Sequence, residues 1–415
     1  MVDKEPTLGG LISVLPALDV DALRAHFPAL AGGAAHFDGP GGSQTPDTVA
    51  DVIRSTLLSP LANRGVTTRA EHNAEETVVQ CRRALGDLLN ADPAGVIFGR
   101  SMTSLTFELS RTLAAGWRAG DEIVVTRLDH DANVRPWVIA AQRAGMVLRW
   151  AEFDPSTAEL PAANIEALLS PRTRLVAVTA ASNLIGTMPD IPAIAAVTHA
   201  AGALLYVDGV HYTAHHAVDV DELGADFFAC SPYKFLGPHC GVVAGRPEIL
   251  AQLHPDKLAP STDQVPERFE LGTLPYELMA GTTAAVDFLA ALGDTGGGRR
   301  QQLVTGMAAV AQHEDGLRDT IEAALRRLPG ATIYSRAQRR TPTLLVTFAG
   351  HDCARISAFL AERGVNAPAG SFYAYEAARH LGLEASGGIR IGLAPYNNAD
   401  DVHRLLDALA DCLIP

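Results

Sequence analysis

Cysteine is scarce in this chain, with five residues spread widely over 415 positions and no CxxC pair. An odd number of isolated cysteines fits neither a disulfide framework nor a zinc site. His211 and His215 have the i, i+4 spacing of some metal ligands, but the HExxH glutamate and a third ligand at a recognisable distance are missing. We therefore predict no metal centre and expect most of the cysteines to be small core residues.

Long apolar runs and excess positive charge are also absent. No run reaches the roughly 20 apolar residues of a membrane-spanning helix. The chain does not begin with a basic region followed by an apolar stretch, as a secretory signal would. The formal net charge of −14 argues against a nucleic-acid or anionic-membrane partner, because phosphate groups are bound mainly by lysine and arginine. These absences predict a cytoplasmic protein with no nucleic-acid and no membrane partner.

The glycine-rich motifs that bind nucleotide phosphates are missing as well. Gly39-Pro-Gly-Gly-Ser is not a GxGxxG after a strand, and no GxxxxGK[ST] occurs. Both absences count against an α/β nucleotide-binding module.

The chain does contain a regular alternation from about residue 75 to 245. Apolar runs such as Glu122–Thr126 and Leu204–Val207 alternate with amphipathic helical stretches, which predicts a mainly parallel sheet covered on both faces. After about Gly281 the order of predicted helices and strands changes to an α+β pattern. We expect an N-terminal segment packing on the small domain, a large domain with the main sheet, and a small C-terminal domain, at residues 1–35, 36–285 and 286–415.

Two charged residues follow predicted buried strands. Lys234 comes just after the apolar run that ends at Cys230, and Asp208 directly follows Val207. Either residue by itself is as well explained as a solvated loop lysine or a turn-forming aspartate. Together, at the sheet edge where α/β proteins bind ligands, they are what pyridoxal 5'-phosphate (PLP) requires. The amine forms a Schiff base, and the carboxylate keeps the ring nitrogen protonated.

Other candidates also follow strands. Thr103 and Ser104 open a helix, where backbone amides and hydroxyls can bind a phosphate, although a plain helix cap explains them equally well. His130 could stack on a planar cofactor or cap a loop. Ser231 and Tyr233 place hydroxyls beside Lys234, where they could contact the same phosphate.

In the order of these motifs the chain resembles the class V aminotransferase group of fold-type I PLP enzymes, and most closely its cysteine desulfurase-like branch. The likeness runs from about residue 20 to 413. Arg100-Ser-Met-Thr103 is similar to the family's RGTT motif, Asp129-His130-Asp-Ala-Asn133 to EHHAN, and Ser182-Asn183-Leu-Ile-Gly-Thr187 to SNVLGT. Val207-Asp208-Gly-Val-His211 is similar to VDGAQ, and Ser231-Pro-Tyr-Lys234 to SGHK. The resemblance implies an α/β fold with a mainly parallel large domain and a smaller α+β C-terminal domain.

The resemblance also implies roles for these residues. Thr103, Ser231 and Tyr233 would contact the PLP phosphate, while His130 would stack on the ring and Asp208 would pair with its nitrogen. Asn183 would lie near the phenolic oxygen and the substrate carboxylate, and His211 would replace a glutamine near that oxygen.

Three more segments carry implied roles. The loop with Gly41 and Gly42 matches the family's N-terminal substrate loop, and Arg390 matches the arginine that clamps the substrate carboxylate, a task that suits a guanidinium fork. Thr273 lies in a segment that the partner subunit contributes to the phosphate site. The implied assembly is therefore a homodimer with shared active sites, acting on a small amino acid.

One departure from the family pattern shapes the expected function. The loop before Arg390, residues 367–376, has no cysteine, whereas desulfurases carry there the cysteine that receives sulfur as a persulfide. We therefore predict cleavage of a carbon–sulfur or carbon–selenium bond by β-elimination, with Lys234, Asp208 and His130 as the catalytic residues. A class V aminotransferase or an amino-acid epimerase is the alternative, and an inactive PLP-fold binding or scaffold protein is a second one.

Overall fold

A computed structural model describes residues 18–294 and 296–413. Its helices are α1 (Val20–Arg24), α2 (Asp47–Leu57), α3 (Arg69–Leu89), α4 (Met102–Ala114), α5 (Arg135–Ala144), α6 (Ala162–Glu166), α7 (Ile191–Ala200), α8 (Val220–Leu223), α9 (Pro247–Leu250), α10 (Tyr276–Ala290), α11 (Arg299–Leu325), α12 (Cys353–Glu362), α13 (Tyr375–His380) and α14 (Ala399–Leu413). Its strands are β1 (Ala35–His36), β2 (Val96–Gly99), β3 (Glu122–Thr126), β4 (Val147–Ala151), β5 (Thr173–Thr179), β6 (Leu204–Asp208), β7 (Phe227–Cys230), β8 (Gly241–Gly245), β9 (Ala331–Ile333), β10 (Thr343–Phe348), β11 (Val365–Asn366), β12 (Ala369–Gly370) and β13 (Gly388–Gly392).

The main sheet has seven strands in the order β2-β8-β7-β6-β5-β3-β4. Strands β3 to β7 pair in parallel, and β8 is antiparallel to both of its neighbours. Every residue of β3 and β7 is buried, because helices cover both faces. The predicted mainly parallel α/β sheet is confirmed. The carboxyl ends of β2, β3, β5, β6 and β7 therefore meet at one edge.

The C-terminal part of the chain builds a second, antiparallel sheet in the order β12-β13-β10-β9. Helices α11, α12 and α14 supply most of the apolar core beside it. Near the N-terminus, β1 pairs in parallel with β11, so that Ala35 joins this second core. Arg24 of α1 bonds Asp401 at 3.0 Å. The predicted N-terminal segment also includes residues 1–17, which lie outside the described residues.

Within the described ranges, no helix combines the length and apolar character that crossing a bilayer would require. The same ranges contain no group of three or more His, Cys, Asp and Glu side chains suited to a metal ion.

Candidate active site

A cavity of about 600 Å³ opens at the edge where the strand ends meet. Eight predicted cofactor residues line it, namely Thr103, His130, Asn183, Asp208, His211, Ser231, Tyr233 and Lys234. The predicted substrate residues Gly41 and Arg390 line it as well. Residues from five strand ends and from the second sheet are thus brought to one place.

Lys234 ends a short 3-10 turn, Pro232–Lys234, that follows β7. Its ammonium group donates a hydrogen bond to the Pro40 carbonyl and lies 4.9 Å from the centre of the Tyr233 ring. Burial, assisted by the charge of Arg390, lowers the pKa of Lys234 from 10.5 to about 7, although Asp208 acts in the opposite direction. A large share of this amine is therefore neutral near pH 7, as a nucleophile or a proton acceptor must be.

Asp208 is the last residue of β6 and is only 3% exposed. Its Oδ1 accepts a hydrogen bond from the Val210 amide at 2.9 Å. Burial raises the pKa of this carboxyl from 3.8 to about 6. The residue after Asp208 has to be glycine, because a Cβ at position 209 would lie 1.9 Å from Cζ of Phe228. A buried carboxylate with so few partners fits a cationic ligand group.

His130 sits on the loop after β3, which the buried Asp129 holds in place. One Asp129 oxygen accepts from the side-chain amide of Asn133 at 2.7 Å, and the other accepts from the Thr126 hydroxyl. Nδ1 of His130 accepts from the Ala132 amide at 3.0 Å, which leaves the ring proton on Nε2. Burial, followed by the charge of Lys234, lowers the pKa of His130 to about 4. The imidazole is therefore neutral, as suits stacking on an aromatic ring.

The N-terminus of α4 forms another wall. The first amides of a helix have no partner within it and favour an anion, and Thr103 is in this first turn. Gly241 of β8 lets the turn approach, because a Cβ there would lie 2.1 Å from the Met102 nitrogen. Ser104 does not line the cavity. Its amide and hydroxyl are bonded to Ser101 in a capping box.

Arg390 reaches the cavity from β13. Its Nη1 donates to the Asn183 carbonyl at 3.1 Å, and its guanidinium lies 3.7 Å from the centre of the Phe372 ring. Burial lowers its pKa from 12.5 to about 9, with only Asp38 opposing. In the part of the chain that the structure describes, Nε of Arg390 is buried and has no hydrogen-bond partner. A cation so placed fits a carboxylate ligand.

Comparison with known proteins identifies this arrangement. The family model for Aminotransferase class-V matches residues 35–405. The chain belongs to the class-V aminotransferases. The predicted family and PLP as its cofactor are thereby confirmed, and the protein is a PLP-dependent enzyme of the cysteine desulfurase-like kind.

Relatives of this chain are named both as aminotransferase-like proteins and as cysteine desulfurases. "Aminotransferase-like protein FGM3" of Gibberella zeae is 32% identical over 95% of this chain and 98% of that protein. A "Probable cysteine desulfurase" of Pseudomonas aeruginosa is 31% identical over 93% of this chain and 96% of that protein. The crystal structure of the cysteine desulfurase CsdA from Escherichia coli is similar with a TM-score of 0.84 and 26% identity, covering 96% and 99% of the two chains.

The site residues of this class-V enzyme fit PLP. Among the described residues, Asn183 Oδ1 and His211 Nδ1 are buried polar atoms without a hydrogen-bond partner, and both residues line the cavity. Nε2 of His211 lies 3.0 Å from the hydroxyls of both Thr341 and Thr343, so the ring orientation is fixed. Burial keeps the pKa of His211 well below its usual range, so the ring is neutral. Nδ1 of His211 is therefore available to form a hydrogen bond with a ligand.

Gly42, Ser104 and Thr273 were predicted as site residues but do not line the cavity. Gly42 is adjacent to it, because a Cβ there would lie 3.5 Å from Cδ2 of Tyr233. Thr273 is exposed and does not line the cavity of its own subunit. The roles predicted for these three residues, like those predicted for the residues that line the cavity, remain predictions.

Several residues of the cavity wall, Thr179 and Phe372 among them, were not predicted from the sequence. Thr179 ends β5, and the rule that singled out Asp208, a polar residue at a strand end, could have found it. Phe372 lies in the loop before Arg390, where no local pattern marks a phenylalanine as facing a cavity.

The lowered pKa of Lys234 predicts how the coenzyme-free enzyme captures PLP. Only the neutral amine attacks an aldehyde, so the covalent capture rate should rise with pH through about 7 and level off above it. A lysine at its ordinary pKa of 10.5 would give a rate that still climbs well above pH 9. Stopped-flow absorbance from pH 5.5 to 10 measures this. Lysine amide with an acetylated α-amino group serves as the control, because the side-chain amine is then its only amine, and a profile parallel to that of the control would contradict the prediction.

Proposed function

We propose that this class-V enzyme cleaves the carbon–sulfur, or carbon–selenium, bond of a cysteine-derived amino acid by β-elimination, without a persulfide-forming cysteine. The observation that supports it is the composition of the cavity wall. No cysteine lines the cavity within residues 18–294 and 296–413, and Phe372 and Tyr373 of the loop before Arg390 line it instead. The sulfur is therefore expected to leave in a released product and not to stay bound to the protein.

The cysteines of the described chain support the same proposal. Cys81, Cys230, Cys240 and Cys353 are buried, and Cys412 is partly exposed on α14. Burial raises the pKa of the Cys240 thiol to about 12 and raises that of Cys353, so neither is a ready thiolate. Cys353 begins α12 and packs in the core beside the second sheet.

Different residues of the cavity have different roles in the proposed reaction. Arg390 binds the substrate carboxylate and fixes the orientation of Cα. Lys234 Nζ takes the proton from Cα, since its lowered pKa lets it act as a base near pH 7. When bound, PLP supplies an electron sink for the charge left at Cα, and Asp208 maintains that sink by pairing with the ring nitrogen.

The overall reaction balances without an oxidant. The Cβ–S bond breaks with its electron pair on sulfur, which leaves as a thiol after protonation. Water then hydrolyses the three-carbon remainder to pyruvate and ammonia. One thioether amino acid and one water thus give one thiol, one pyruvate and one ammonium ion.

The assembly belongs to this proposal as well. We place Thr273 of one subunit at the phosphate site of its partner in a cytoplasmic homodimer. Support comes from the exposure of Thr273 and from the anchoring of the preceding segment, where Arg82 bonds Glu270 at 2.6 Å and Arg64 bonds Glu267 at 3.0 Å.

A product assay tests the reaction. The PLP-loaded enzyme is incubated with L-cysteine and with S-alkyl cysteines, while pyruvate, thiol, ammonia and the intact protein mass are followed together. We expect pyruvate and thiol in equal amounts and no added sulfur on the protein. Alanine together with a protein-bound persulfide would contradict elimination and indicate a desulfurase.

The alternatives leave other signatures in the same assay. A keto acid without thiol would indicate an aminotransferase, and loss of optical activity without a new product would indicate an epimerase. A coenzyme spectrum that no amino acid alters would indicate a protein without catalytic activity.

A further inference from the structure

The loop before Arg390 adopts an unusual backbone over the cavity. Phe372 and Tyr373 have φ values of +54° and +57°, in the left-handed region that residues other than glycine seldom occupy. Two hydrogen bonds hold them there. The Asn183 side-chain amide donates to the Phe372 carbonyl at 2.9 Å, and the Asp131 amide donates to the Tyr373 carbonyl at 2.7 Å. Strained backbone held by specific bonds is typical of functional sites.

This backbone gives the two aromatic rings different positions. The Phe372 ring lies against the Arg390 guanidinium at 3.7 Å and so fixes the plane of the carboxylate-binding group. The Tyr373 ring lies 5.7 Å from the His130 ring and is 78% exposed. Tyr373 therefore extends from the cofactor region toward solvent.

The cavity continues outward past these rings. An outer depression of about 490 Å³ shares Asp131, Arg135, Phe372 and Tyr373 with the main cavity, so these four residues form its mouth. The charges at the mouth are paired with each other. Arg135 bonds Asp131 at 3.0 Å, and the nearby Glu376 bonds Arg127 at 2.6 Å. The mouth thus offers aromatic surface but no unpaired charge to a ligand.

We propose that this mouth, formed by Asp131, Arg135, Phe372 and Tyr373, is a subsite for the sulfur substituent of the substrate. The substrate class is then an S-substituted cysteine with an uncharged apolar or aromatic substituent. The inference rests on the proposed carbon–sulfur cleavage. With the carboxylate on Arg390 and Cα at Lys234, a substituent on sulfur that outgrows the inner cavity has to pass the Phe372 and Tyr373 rings. Apolar groups gain from that contact, whereas a charged group would lose water without gaining a partner.

Binding to the PLP-loaded enzyme tests the subsite independently of turnover. The dissociation constants of S-methyl-, S-benzyl- and S-carboxymethyl-L-cysteine are measured from the change in the coenzyme spectrum. We expect S-benzyl-L-cysteine to bind roughly 10-fold more tightly than S-methyl-L-cysteine, and the carboxymethyl compound to bind no better than S-methyl-L-cysteine. Equal affinities for the methyl and benzyl compounds would overturn the subsite.

Variants of Tyr373 test whether this residue causes the preference for the benzyl substituent. Tyr373→Asn removes the ring while suiting the left-handed backbone, and Tyr373→Phe keeps the ring and serves as the matched control. Tyr373→Asn should lose most of the preference for S-benzyl- over S-methyl-L-cysteine, and Tyr373→Phe should keep it. A preference that survives Tyr373→Asn would overturn the role of this residue.

The two proposals fail in different ways. Tight binding of S-benzyl-L-cysteine without release of pyruvate and thiol would support the subsite and refute the lyase. Pyruvate and thiol formed with no benzyl preference would refute the subsite and leave the lyase standing. No spectral response to any of the three compounds would refute both.

Discussion

Replacing Lys234 with alanine is expected to stop elimination and to leave the coenzyme without a covalent attachment. In the proposed mechanism the lysine is at once the nucleophile that holds the coenzyme and the base at Cα, and loss of general acid–base catalysis alone costs about 10²- to 10⁴-fold in rate. Borohydride reduction followed by peptide mass spectrometry measures the attachment separately from the rate. The wild-type enzyme should carry the coenzyme on the peptide that contains Lys234, and the variant should carry none there.

Lys257 provides the matched control, because it is one of only three lysines in the chain. Its ammonium group donates to the Ser261 carbonyl at 2.9 Å and does not line the cavity. Lys257→Ala should keep both the adduct and the activity. A Lys234→Ala enzyme that still turned over substrate at the wild-type rate would refute the assignment of Lys234.

Asp208→Asn should have the next largest effect. In the proposed pairing the amide has the same shape but cannot hold the positive charge of the ring nitrogen, and loss of one partner of a buried charge pair costs about 3–5 kcal/mol, or roughly 150- to 5,000-fold in turnover. The pH dependence identifies the cause. The pKa of Asp208 is about 6 in the coenzyme-free enzyme, so the carboxylate is lost as the pH falls below 6. Wild-type affinity for PLP should therefore weaken below pH 6 more steeply than that of the variant.

Spectroscopic titration of PLP binding from pH 5 to 8 makes this comparison. Asp190→Asn is the control, because Asp190 caps α7 through a bond from the Ala193 amide at 3.2 Å and asparagine caps a helix equally well. Identical pH profiles for Asp208→Asn and the wild type would mean that another group pairs with the ring nitrogen.

Much of the main sheet could be predicted from local sequence. The apolar run predicted at Glu122–Thr126 has the same bounds as β3 in the structure, and the run at Leu204–Val207 forms β6 together with Asp208. Strands buried on both faces read as short continuous apolar runs, and such runs need no distant contact to be recognised. Lys234, Asp208 and His130 were found by the same logic, since each follows such a run.

Other elements depend on contacts that no local pattern shows. Helix α10 was not predicted, and it contains Gly281, a poor helix former. A Cβ at Gly281 would lie 2.5 Å from Cγ1 of Ile53, so the glycine is explained by the close packing of α10 on α2. The sequence has no sign of this neighbour, which lies more than 200 positions earlier.

The sequence by itself determined the family and the sheet and indicated the residues proposed to hold the coenzyme, because these depend on residue type and on short apolar runs along the chain. Only the tertiary structure decided that Phe372 lies against Arg390, that Thr341 and Thr343 hold the ring of His211, and that the cavity continues past Tyr373. These features arise where the second sheet and its loops meet the edge of the first. The physical reason is that contacts between residues far apart in sequence are set by packing, whereas strand signals are local.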